Sequence, residues 1–167
     1  MIRPNGLLTT TSRKVSQQMT SPIYDSGREW ACRTTTLENG VRVVTESKPN
    51  SRAVSIGVLV DAGPRDEPPG RHGLAHLTEH ATFLGTASRD AVRISRLIDE
   101  AGGQMGAFTA RDYTCYHATV LDDYLTYVVD LLGDILLDST YPNDAVERQK
   151  QTILREISAG CDALMTA

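Results

Sequence analysis

Residues 72–85 read His72-Gly73-Leu74-Ala75-His76-Leu77-Thr78-Glu79-His80-Ala81-Thr82-Phe83-Leu84-Gly85. Apolar positions recur at helical spacing and Gly85 supplies a stop, so a helix is expected over 72–84. On a helix, positions i and i+4 lie about 40° apart around the axis, and i+3 falls on the same side. His76 and His80 can therefore aim two imidazoles at one point, with Glu79 beside them. Three polar side chains on one face, flanked by Leu74, Leu77, Phe83 and Leu84, suit a cation better than they suit packing. Zinc takes neutral imidazole nitrogen at about 2.0–2.1 Å and, in catalytic use, wants three protein ligands and one open position. The alternative is a pair of surface histidines with no ligand role. His72 extends the row to i, i+4, i+8, but Gly70 and Gly73 flank it, so it is expected at the helix start, facing elsewhere.

Outward from this segment the chain alternates strands and helices. The turn signal Glu38-Asn39-Gly40 precedes alternating residues at 41–45, read as a strand. Residues 53–60 form a second strand, uniformly apolar enough to be expected in the centre of a sheet. Residues 63–70 carry three prolines and two glycines and read as a loop. A helix over 88–100 is stopped by Gly102-Gly103. Two β-rich runs at 104–110 and 113–120, parted by Arg111-Asp112, suggest a hairpin. Leu125, Val128, Val129, Leu132, Ile135 and Leu136 then recur at helical spacing over 122–138, and a last helix runs from 143 to about 158. The plan is α+β: helices lying on a largely antiparallel sheet.

The 167 residues are 40% hydrophobic and 23% charged, a globular balance rather than a disordered one. With 17 basic against 21 acidic residues, the formal charge is −4, which argues against nucleic acid as the main partner. The apolar run 125–137 is broken by Asp130 and Asp134 and is too short to span a bilayer. Cys32, Cys115 and Cys161 are too widely spaced for a zinc knuckle or a disulfide framework and read as reduced thiols. Residues 1–32 are expected to be a disordered or targeting extension. Residues 1–24 hold Arg3, Arg13 and Lys14, no acid and many hydroxyls, as a mitochondrial transit peptide would. Pro4 and Gly6 spoil the amphipathic helix such a peptide needs, so the bacterial cytoplasm is the expected location and the mitochondrial matrix the alternative.

His76-Leu77-Thr78-Glu79-His80 resembles the inverted HxxEH motif of the M16 zinc peptidases, which include pitrilysin, insulin-degrading enzyme and the mitochondrial processing peptidase. That family draws its third ligand from a glutamate in a distant downstream helix. Ile153-Leu154-Arg155-Glu156-Ile157 resembles that element, with Glu156 lying 76 positions after His80. The flanks agree: residues 36–43 resemble the opening strand, 61–67 the loop before the helix, 83–86 the helix end and 102–114 the hairpin facing the metal. The resemblance covers about residues 33–160. It implies that residues 33–167 are the N-terminal part of an M16-type peptidase domain, a LuxS/MPP-like metallohydrolase fold incomplete at its C-terminus.

The same resemblance implies the chemistry. Zn2+ would be held by His76, His80 and Glu156, and Glu79 would be the general base for hydrolysis of a peptide bond. An extended peptide or unfolded polypeptide substrate would pair with the strand holding Gly106, Ala107, Phe108 and Thr109. Two positions depart from the family pattern. Gly106 stands where an asparagine is frequent, and Gln149 stands where a glutamate commonly supports the metal site from behind. The chain also ends at Ala167, eleven residues after Glu156, whereas family members continue into a second, similar half that closes around the substrate. The expected function is a zinc metalloendopeptidase, active either alone or only with a second M16-like half or subunit. The alternative is a non-catalytic M16-like structural or binding subunit, against which the full set of four site residues speaks. Zinc storage has no cysteine cluster to support it.

Overall fold

The computed structural model describes residues 31–165, Pro49 excepted. The expected N-terminal extension thus lies outside the described residues up to position 30. The chain forms two compact units that part between Ser51 and Arg52.

In the first unit, β1 (Ala31–Thr36) and β2 (Arg42–Ser47) form an antiparallel hairpin, in register from Ala31 opposite Ser47 to Thr36 opposite Arg42. The residues resembling one opening strand, 36–43, are instead mostly the turn between two. The Gly40 N–H donates to the Leu37 carbonyl, and the Val41 N–H to the Asn39 side-chain oxygen. β1 escaped notice because its run of threonines favours extended backbone without any apolar alternation.

The second unit holds a three-stranded antiparallel sheet in the order β3 (Ala53–Val60), β5 (Thr114–Leu121), β4 (Gln104–Thr109). The expected hairpin is present: the Ala110 N–H donates to the Tyr113 carbonyl, and Arg111-Asp112 make its tip. The expected central strand is not. β3 is an outer strand of this sheet and β5 is the middle one. One face of β3 carries Val54, Ile56 and Val58, half-buried, whereas Ala53, Ser55, Gly57 and Leu59 on the other face are exposed.

Among the described residues four α-helices accompany the sheet: α1 (Leu74–Thr82), α2 (Ala91–Glu100), α3 (Leu125–Leu137) and α4 (Asn143–Met165). The expected helix boundaries move inward for the first two. Gly73, at φ +90°, sets the start of α1, a left-handed backbone that glycine adopts without steric cost. His72 therefore lies before the helix, as expected. Asp90 caps α2 by accepting the Arg93 N–H. The core joins α2, β5 and α3 through Ile94, Leu97, Ile98, Tyr116, Ala118 and Val120, with Val128, Leu131, Leu132 and Ile135 from α3. The buried stripe of α3 is thus i, i+3, i+4, i+7, and it includes Leu131 rather than the exposed Leu125 and Val129. Arg89, ahead of α2, ties onto α3 by an ion pair to Asp134, whose carboxylate also accepts from the Thr86 and Ser88 hydroxyls. Among the described residues no helix is long and apolar enough to cross a membrane.

Candidate metal centre

The first N–H groups of α1 lack helical partners, and the residue at its cap, Gly73, has no side chain to supply one. The Glu67 carboxylate supplies them from the preceding loop. Its two oxygens accept the Gly73 and Ala75 N–H groups, each at 2.9 Å, and its side chain is only 5% exposed. The Ala75 N–H does most to hold the carboxyl below the usual glutamate range; burial opposes this, and the Gly73 N–H and nearby His72 reinforce it. A negative charge at the helix N-terminus is favourable in itself. The loop is fixed in turn, because the Arg65 N–H donates to the Arg111 carbonyl at the hairpin tip and its guanidinium pairs with Asp112. This anchoring ends one residue before His76.

One turn apart on α1, the His76 and His80 rings stand edge to face with their Nε2 atoms 3.1 Å apart. α4 packs on α1 and buries Ile153. Three residues further along α4, Glu156 puts Oε2 3.8 Å from His76 Nε2 and 4.0 Å from His80 Nε2. The three expected ligands therefore converge on one point, although their helices are separated in sequence by most of the sheet. A circle through the three atoms has a radius of about 2.1 Å, the bond length zinc makes to nitrogen and oxygen. Two imidazoles and a carboxylate are also the donor set of a catalytic rather than a structural zinc site, so the residues fit such an ion. Among the described residues this is the group of three that could hold a metal.

The other expected site residues fall as follows. Glu79 is buried, and one carboxylate oxygen accepts the Thr109 hydroxyl at 2.5 Å. Thr109 thus turns its side chain to Glu79. Gly106, Ala107 and Phe108 lie on β4, whose outer edge no described strand covers. Gln149 is half-buried on the α4 face shared with Ile153 and Glu156, about 10 Å along the axis from the latter. Cys32 and Cys115 are free thiols, and burial pushes that of Cys115 up.

Residues 42–164 match the family described as Insulinase (Peptidase family M16). The chain belongs to peptidase family M16. It is similar to the uncharacterized zinc protease YmxG of Bacillus subtilis, 41% identical over 77% of this chain and 31% of that protein. An uncharacterized zinc protease of Mycobacterium leprae is 46% identical over 76% of this chain and 28% of its own length. The beta subunit of the mitochondrial-processing peptidase of Saccharomyces cerevisiae is 40% identical over 74% of this chain and 27% of its length. The chain thus spans roughly three-tenths of the M16 relatives it matches. Within this M16 portion, sequence reasoning missed Glu67. The carboxylate acts from six and eight positions upstream, outside any local capping pattern, so only the loop geometry reveals it.

Proposed function

We propose that this chain is the metal-holding part of a zinc-dependent endopeptidase, with residues 33–167 as the N-terminal part of an M16 peptidase domain. The convergence of His76, His80 and Glu156 on one point carries this reading. Those three residues would hold Zn2+, which supplies Lewis acidity to the scissile carbonyl and acidifies the attacking water. Glu79 takes the proton of that water on its carboxylate and passes it to the leaving amine nitrogen. The Thr109 hydroxyl, donating to the same carboxylate, fixes its orientation for that task. β4, an outer strand next to this chemistry, offers its free N–H and C=O groups to an extended peptide or unfolded polypeptide, which then lies in register with Gly106, Ala107 and Phe108. Gln149 supports the Glu156 helix face from two turns away.

A second M16-like half or partner subunit is proposed to complete the substrate chamber, in keeping with the yeast relative, which is named as the beta subunit of its peptidase. The proposed setting is the bacterial cytosol, in keeping with bacterial relatives such as the Bacillus subtilis protein; the mitochondrial matrix is the alternative, in keeping with the yeast relative.

The test is zinc content together with peptide cleavage, for the chain alone and with a supplied C-terminal half. Glu79→Gln is expected to keep one equivalent of zinc and lose cleavage by at least about a hundredfold. His76→Ala and Glu156→Ala are expected to lose the metal. Full zinc retention by either ligand variant would refute the assignment.

A further inference from the structure

The face of β4 turned away from the core carries an unusual pairing. Gly106 lies directly opposite His117 of β5. A Cβ at Gly106 would stand 3.4 Å from His117 Nε2 and 3.5 Å from Cε1. The tip of the imidazole thus leans over the glycine, into the space where a side chain at 106 would begin. Two residues along the same face, the Phe108 ring sits 6.1 Å from the His117 ring, and Tyr113 lies 6.1 Å beyond Phe108 in an edge arrangement. All three rings are exposed, Phe108 by 46%. The opposite face of the strand is different: Met105 and Ala107 pack on the core there, and Thr109 meets Glu79.

A strand added to β4 places the side chain opposite Gly106 on this ring-bearing face, about 4.8 Å away. Any larger residue at 106 would stand between that side chain and His117. With glycine there, the incoming side chain meets the imidazole across an open gap, with Phe108 on the diagonal. A small side chain would leave the rings in water, whereas a flat aromatic one fills the gap and contacts both.

We propose that Gly106, His117 and Phe108 form a specificity subsite that takes an aromatic side chain of a peptide lying along β4. This rests on the strand-addition reading given above. The subsite acts on substrate choice and leaves the metal ligands untouched.

The experiment uses the zinc-loaded full chain carrying Glu79→Gln, so that peptides bind without being cut. Fluorescein-labelled extended peptides carry either Phe or Ala at each position in turn, and binding is read by anisotropy. At one position Phe is expected to bind about threefold to tenfold more tightly than Ala, the worth of one aromatic pair. Adding His117→Ala should abolish that preference while changing the affinity of the Ala peptide by less than about twofold. Gly106→Asn, which fills the gap, should abolish it as well, and His117→Phe should restore it. A Phe preference unchanged in both His117→Ala and Gly106→Asn would overturn the subsite. Methylating peptide backbone nitrogens separates the two layers. If binding depends on those N–H groups but not on His117, the subsite falls and strand addition stands. If no peptide binds, or binding ignores backbone methylation, strand addition falls and the subsite with it.

Discussion

Glu79 is held by one hydroxyl, and that bond has a measurable worth. A hydrogen bond to a charged, buried group contributes about 1.5–3 kcal/mol, so losing it should matter to Glu79 in its proposed role as the base that faces the attacking water. Thr109→Val is expected to leave zinc content unchanged and to lower kcat about tenfold or more, with KM nearly constant; Thr109→Ser should recover most of the loss. A rise in KM with kcat intact would assign Thr109 to peptide binding instead. Two of the candidate metal trio, His76 and His80, were legible in the sequence because helical spacing places them together whatever surrounds them. Glu156 was not legible on that ground. Only the resemblance singled it out, since spacing within one helix says nothing about which other helix packs alongside. The direction of the Thr109 side chain was equally hidden, because a strand residue can face either side until the core is known.

Helices and strands were recovered unevenly, and for identifiable reasons. α3 and the β4–β5 hairpin followed from periodicity and a two-residue turn. The order of strands did not. β3 looked central because it is nearly all apolar, while the hairpin reading gave β5 no place in the sheet; there Tyr116, Ala118 and Val120 alternate with Cys115, His117 and Thr119. In a sheet whose helices cover one face, alternation is what a middle strand also shows, so composition cannot rank its strands. Two tethers between elements lend themselves to test. Glu67 has a pKa held below the ordinary glutamate range in the folded chain. Its stabilising effect is therefore full above that range and fades as pH falls through the lowered value. Melting temperatures followed downward in pH should drop more steeply for the wild type than for Glu67→Gln, the two curves converging in acid; parallel curves would show that the anchor carries no charge effect. Arg89→Ala removes the cation from Asp134, whose side chain is only 14% exposed. A cost of about 3 kcal/mol in urea unfolding is expected, with most of it relieved when Asp134→Asn is added.

The second unit keeps its core in α2, β5 and α3, while the candidate metal trio sits outside that core, shared between α1 and α4. Ile153 is buried where α4 packs on α1, whereas the neighbouring Leu154 is 56% exposed. Amide exchange of the zinc-loaded chain is expected to slow in α4 around residues 150–157 relative to the chelator-treated chain, while β5 exchanges equally in both. Equal exchange in α4 would mean that the cation contributes nothing to docking that helix. The slowing has a simple origin. A cation bound to His80 and Glu156 ties two points 76 residues apart in the chain into a ring. Such a knot removes freedom mainly from the unfolded chain, so the ion would be selected by folding as much as by chemistry. Starving the cell of metal would then cost it the intact protein, beyond the loss of any one turnover.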